Sequence, residues 1–464
     1  MRSLNHNSTL KYAILFLFAL VYGVLLFHNL RTQNFGWYNY TEWFVNYSGG
    51  FIRRGLPGQV LLILAQQGII TPFRAAFALG YFGILLVAAL YLWQLIGNLR
   101  RLTVMSLITF LFLPPLLLFL LTIPGKKEIF GVLLVVLNLK CVGDRMTQLK
   151  KQFNVQQLTE VTELDWQTVE RQYLIWIFSV FNLLAIPLLL SHESFFFLHL
   201  PINIAITYSF LLIRNPSLTA LFKAILIYIP THLTFLICFL GKGDFTTTAA
   251  ICDAWQGLGL MDCDAQSGSW FIIGHSWASH LSLFNEHVIE QGSFLFYGIS
   301  GVVNFCFLLG ASASTLIDMT RISSVDSVRR RNYVSGFISK YFWLPFLVST
   351  PLYLLGWDWG RWLSAILLCY AFCLLSPQLA QLEWLRVKRE QRSRESAAIL
   401  HLPLRLDHHW AKAMDRLAML PQRCPRIYSL SLVYVVLFTS VPFFEMKSEH
   451  LYTGLIQRLI STFS

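Results

Sequence analysis

Apolar runs of about 20 residues recur along this chain, each long enough to cross a hydrocarbon layer of about 30 Å as a helix. A backbone in lipid must satisfy its own hydrogen bonds, and a helix does so within one segment. Hydrophobic residues make up 55% of the 464 and charged residues 13%, which makes these runs the organising elements. The chain therefore reads as an all-α, polytopic membrane protein, one integral domain over residues 1–464. The first run follows Arg2 and Lys11 without a small-residue cleavage site, so it reads as a retained helix and not a signal peptide.

About eleven transmembrane helices are expected from length and hydropathy: Tyr12–Leu30, Phe73–Ile96, Thr103–Ile123, Ile129–Val142, Tyr173–Leu190, Phe195–Ile213, Ala220–Leu240, Ser293–Ile317, Phe337–Leu355, Leu363–Leu382 and Tyr428–Phe444. Leu56–Ile70 is apolar but short and interrupted by Gln66 and Gln67, as in a re-entrant or interfacial helix. Residues 143–172 read as a polar, amphipathic surface segment, 241–291 as an enlarged outer loop, and 383–426 as a basic cytoplasmic loop.

Charge sets the sidedness. With the N-terminus cytoplasmic and the C-terminus outside, only ten of the 36 Lys and Arg fall on the outer side: Arg31, Arg53, Arg54, Arg74, Lys126, Lys127, Lys242, Arg361, Lys447 and Arg458. That asymmetry follows the positive-inside rule. It also assigns the net charge of +12 to alternate loops facing anionic lipid, and no nucleic-acid partner is expected. Walker and Rossmann glycine patterns are absent.

The outer exceptions cluster in short turns. The stretch Phe35–Gly58 crowds Phe35, Trp37, Tyr38, Tyr40 and Trp43 around Glu42, then sets Arg53 and Arg54 between glycines. Its aromatics suit an interfacial belt, whereas two guanidiniums in a Gly-rich turn suit phosphate or carboxylate. Lys126-Lys127-Glu128 reads either as a solvated helix end or as part of a site. For His192-Glu193 the competing readings are a cap on the next helix and a proton acceptor.

In GWDWGRW, Asp358 and Arg361 can pair at i, i+3, while Trp357 and Trp359 offer a sugar platform. Arg53, Arg54, Lys127 and Arg361 are the expected diphosphate-binding residues, and Glu128, His192, Glu193 and Asp358 the expected catalytic candidates. Cys252 and Cys263 share one polar loop and are expected to form a disulfide if it faces an oxidising compartment. His275, His280 and His287 lie five and seven residues apart, a spacing unlike helical metal motifs, so no metal or cofactor is expected.

SGGFIRRGLPG, PGKKE, SHESFFF and GWDWGRW resemble segments of membrane proteins from bacterial surface-polysaccharide loci. In topology the chain resembles the O-antigen polymerase and ligase group, allied to GT-C glycosyltransferases. That resemblance implies an inner-membrane, multi-pass enzyme taking a polyprenyl-diphosphate-linked glycan on the outer face, without a metal, alongside membrane lipids and other polysaccharide-assembly proteins. The chain departs from GT-C transferases in lacking Asp-x-Asp in the first outer loop, where Glu42 is the one acidic residue. A lipid-linked glycan flippase and another outer-face transferase, such as an acyltransferase using His192, are the alternative readings.

Overall fold

The computed structural model describes residues 2–32, 35, 37–100, 102–112, 125–152, 163–214, 218–241, 243–259, 268–275, 277–290, 306–307, 341, 343–355, 359–379, 382 and some positions from 424 to 431. Every described element is a helix. Four helices are long and apolar enough to cross a membrane: Thr9–Thr32, Pro72–Asn98, Asp165–Ser191 and Ser194–Leu211. A fifth span results if the bent pair Leu218–Leu226 and Ile229–Leu240 counts as one.

In chain order α1 is Arg2–Thr32, α2 Trp37–Phe44, α3 Gly55–Gln66, α4 Pro72–Asn98, α5 Val104–Phe112 and α6 Glu128–Gln152. Then come α7 (Glu163–Trp176), a π-helical turn (Ile177–Phe181) and α8 (Asn182–Ser191), which form one continuous rod. Next are α9 (Ser194–Leu198), α10 (Leu200–Leu211), α11 (Leu218–Leu226) and α12 (Ile229–Leu240). The remainder are α13 (Phe245–Gln256), α14 (Gly268–Gly274), α15 (Trp277–Phe284), α16 (Trp343–Val348), α17 (Thr350–Leu355) and α18 (Trp359–Leu375).

Helix periodicity explains who faces whom. α1 buries one stripe, Phe18, Tyr22, Leu25 and Asn29, and exposes Phe16, Leu20 and Phe27 as a lipid-facing helix does. α6 buries Ile129, Val132, Val135, Leu139, Val142, Met146 and Leu149, a three-and-four spacing sustained along the whole helix. It packs against α4, α10 and α18. α18 is buried on every side from Arg361 to Leu375, and so occupies the interior of the bundle.

Lipid gives packed helices little hydrophobic drive, so side-chain hydrogen bonds matter between them. Asn138 donates to the Asn203 side chain (3.0 Å), and Tyr173 donates to Asn138 (2.7 Å) and meets Thr207 (3.0 Å). Thr207 in turn meets Tyr228 (2.8 Å). This ladder joins α6, α7, α10 and the α11–α12 bend.

Several expected boundaries move. The α6 stripe continues past Val142, so part of the expected surface segment is buried helix; Trp166 and Val169 of α7 are buried as well. The expected sixth span stands as Ser194–Leu211, with His199 as the single residue between α9 and α10. The seventh bends by 56° at Ile227–Tyr228, just before Pro230, whose missing N–H and bulky ring break the helical ladder. Within the expected outer loop, α13, α14 and α15 are helical. Most of the expected eighth and eleventh spans, the second half of the third and most of the basic loop lie outside the described residues, whereas most of the ninth is described, as α16 and α17.

A buried charge cluster as candidate functional site

α2 is the platform of the site. Three remote segments hold it: Trp43 donates its indole N–H to the Gly125 carbonyl (2.8 Å), Trp255 donates to the Phe44 carbonyl (2.8 Å), and Thr41 accepts from the Ser269 amide (2.9 Å). Phe44 packs on Trp255 with ring centres 4.8 Å apart, and Phe35 on Tyr40 at 4.6 Å. Phe35, Trp43 and Phe44 are buried, so these aromatics are a clamp and not an interfacial belt; Trp37 alone is exposed at 37%. Clamped this way, α2 turns Glu42 inward, where it is 1% exposed.

The Gly-rich turn after α2 brings in the arginines. Arg54 adopts the left-handed backbone region (φ 69°), the only described non-glycine residue to do so. A Cβ on Gly55 would collide with the Tyr47 ring and one on Gly58 with the Val45 carbonyl, so the turn lies flush against the exit from α2. Arg54 then forks onto Glu193, its Nε to Oε2 at 2.8 Å and Nη2 to Oε1 at 2.6 Å, with Arg53 Nη1 3.4 Å from the same carboxylate. Glu193 makes no capping bond to α9, so the capping reading gives way to this bridge.

Lys126, Lys127 and Glu128, at the start of α6, are 1–4% exposed, which removes the reading of a solvated helix end. Lys126 pairs with Glu42 Oε2 and sits 4.1 Å from the centre of the Tyr38 ring. Lys127 donates to the backbone carbonyls of Glu42 (2.7 Å) and Ser191 (3.2 Å). His192 Nε2 lies 3.3 Å from Glu42 Oε1 and 3.4 Å from Glu128 Oε1; Arg361 Nε, from α18, lies 3.1 Å from the same Glu128 oxygen. His192 Nδ1 faces the Ser194 hydroxyl (2.7 Å) and amide (3.2 Å).

Electrostatics keeps the carboxylates ionised. Burial pushes Glu42 up, but Lys126, His192 and Arg361 together hold it well below the usual carboxylate range. Glu128 is likewise lowered, burial being outweighed by Arg361 and then His192. Against the same burial, Arg54 and then Arg53 hold Glu193 well down. Burial and the neighbouring Arg54 and Lys126 bring Lys127 down to about 8, although Glu42 opposes them. The cluster thus gathers five cationic side chains (Arg53, Arg54, Lys126, Lys127, Arg361) around three carboxylates (Glu42, Glu128, Glu193), and cationic charge is in excess.

Arg53, Arg54, Lys127, Glu128, His192, Glu193 and Arg361, picked from separate turns, therefore stand together. Trp357, Asp358 and Cys263 lie outside the described residues, as does the Trp359 side chain. Cys252 is disulfide-bonded and buried. His275 and His280 pair with each other at 6.3 Å between ring centres, near Phe245. Three more residues stand here that carried no expected role in the site: Lys126, Glu42 and His199. Lys126 and Glu42 needed the partner each finds only in the fold. His199 is fully buried, and its ring occupies the space a side chain on Gly131 would fill; the available signal was an ionisable residue inside an apolar run. Comparison with protein-family models, curated proteins and solved structures returned no match.

Proposed function

We propose that this chain is a multi-pass protein of the bacterial inner membrane, with about eleven spans. In this reading it transfers saccharide from a polyprenyl-diphosphate carrier on the outer face, as a polysaccharide polymerase-type glycosyltransferase. The observation that carries the reading is the excess of cationic over acidic side chains in a buried cluster drawn from separate turns. Preorganised cations in a water-poor site stabilise the charge that develops on a diphosphate leaving group. Arg53, the most exposed of them at 23% of its side chain, is the first contact for an entering diphosphate. Lys127 and Arg361 lie deeper.

Both oxygens of Glu193 are occupied by Arg54, so Glu193 positions the arginines. Activation of the acceptor hydroxyl falls to the Glu42–Glu128–His192 group. The hydroxyl proton passes to that group as the new bond to the anomeric carbon forms and the carbon–oxygen bond to diphosphate breaks. The test is a purified-protein assay with a synthetic polyprenyl-diphosphate oligosaccharide. Glu128→Gln should lower product formation by roughly 10²–10⁴-fold, the range for losing a general acid–base group, with the protein still in the membrane. Wild-type protein that moves the lipid across proteoliposomes without forming a glycosidic bond would make it a flippase and end the transferase reading.

A further inference from the structure

We infer that Glu42, Glu128 and His192 form a binding site for one divalent transition-metal cation of the Zn²⁺ or Mn²⁺ class. The inference stands on the geometry of these three side chains and not on the transfer reaction. One donor atom from each lies within 4.8 Å of the other two, and all three residues are buried. Ligands about 2.1 Å from a tetrahedral ion are separated by about 3.4 Å. The His192 Nε2 distances to Glu42 Oε1 and Glu128 Oε1, 3.3 and 3.4 Å, match that edge.

A second observation points the same way. Glu128 Oε2 is buried without a hydrogen bond, and Glu42 Oε1, Glu128 Oε1 and His192 Nε2 make none of full geometry, their near neighbours being one another and, 3.1 Å from Glu128 Oε1, Arg361 Nε. Such atoms cost free energy unless something satisfies them. Glu42 gives its other oxygen to Lys126, which fixes the carboxylate and leaves Oε1 turned inward. Ser194 Oγ, 2.7 Å from His192 Nδ1, can accept a hydrogen bond from the Nδ1–H tautomer, which presents a bare Nε2 to a metal, the usual outer-shell arrangement for a histidine ligand. An imidazole nitrogen beside two carboxylates favours Zn²⁺ or Mn²⁺ over Mg²⁺ or Ca²⁺, which prefer all-oxygen shells. Three protein ligands leave a position open, as in catalytic rather than structural sites.

The competing arrangement uses the same atoms. If Nδ1 accepts from the Ser194 amide, Nε2 carries the proton and points it between the two carboxylates, leaving no lone pair for a cation. Metal analysis separates the two. Full-length protein in detergent is stripped with chelator, incubated with Zn²⁺ or Mn²⁺, desalted, and assayed for metal content and, with Mn²⁺, by electron paramagnetic resonance. Wild type and a variant at the exposed Asp144 of α6, Asp144→Asn, should retain close to one ion per chain, with a raised melting temperature. Glu128→Gln and His192→Ala should retain none. Ser194→Ala should weaken retention by roughly 10–100-fold, the effect of losing an outer-shell partner. Stripped wild type that melts cooperatively yet takes up neither ion overturns the inference, and so does uptake that persists in Glu128→Gln and His192→Ala. The glycan assay reads catalysis separately, so either proposal can fail alone.

Discussion

At the scale of single residues, Arg54 shows a local cost met by a distant partner. Its left-handed backbone costs a non-glycine residue about 1–2 kcal/mol, and its fork onto Glu193 joins positions 139 apart in the chain. Removing one member of a buried pair strands the other, at about 3–5 kcal/mol. Arg54→Ala should therefore destabilise the protein by roughly that amount. Arg54→Gly should lose about 1 kcal/mol less, because glycine adopts this φ without strain. Equilibrium unfolding in mixed micelles measures both. Equal stability of the two variants would show that the backbone carries no strain, and wild-type stability in both would show that the bridge contributes nothing.

At the scale of elements, α13 matters because its Trp255 holds the C-terminal end of α2 and so the position of Glu42. Its start depends on Asp244, whose carboxylate accepts from the Thr247 amide (2.7 Å) and from the hydroxyls of Thr246 (2.7 Å) and Thr247 (2.8 Å). These bonds, the Thr247 amide first, hold the carboxyl down to about 2. Its folded value lies below the unfolded one of about 4, so the cap is at full strength above about pH 4 and is lost as pH falls towards 2. Amide exchange at Thr246–Thr248 should accelerate over that window relative to the rest of α13, after correction for intrinsic rates. In Asp244→Ala the protection should be missing at every pH. Protection that is unchanged in the variant would mean that α13 is anchored by Trp255 and its packing alone.

At the scale of the whole molecule, sidedness decides whether the cluster faces the outer compartment, as the proposed reaction requires. Cys252 is disulfide-bonded, whereas Cys141, Cys238, Cys306, Cys369, Cys373 and Cys424 are free, and of these Cys424 is exposed. Disulfides persist in oxidising compartments. An impermeant maleimide applied to spheroplasts should label Cys252 only after mild reduction and local unfolding, and Cys424 only after the membrane is permeabilised. Immediate labelling of Cys424 in intact spheroplasts would invert the topology and place the cluster on the cytoplasmic side. The bundle around α6 and α18 is indifferent to that outcome, since its packing is the same from either side.

Periodicity and hydropathy give the helical class of this chain before any folding, because long apolar runs in lipid must be helices; the length of α6 was not legible, since its buried stripe runs on past Val142 into a stretch of polar composition. The charged turns are legible for a similar reason, because Arg53, Lys127, His192 and Arg361 interrupt apolar stretches where ionisable groups are costly. Partners are another matter. Lys126 meets Glu42 across 84 positions and Arg54 meets Glu193 across 139, and no local pattern relates such residues. A histidine and two glutamates at positions 42, 128 and 192 have no motif spacing, so a search for metal ligands along the chain passes over them. The clamp on α2, the turn at Arg54 and the packing of α18 against α6 bring them within a few ångströms. Helix formation answers to neighbours three and four residues away, whereas a buried ion pair answers to whatever the packed bundle places opposite it.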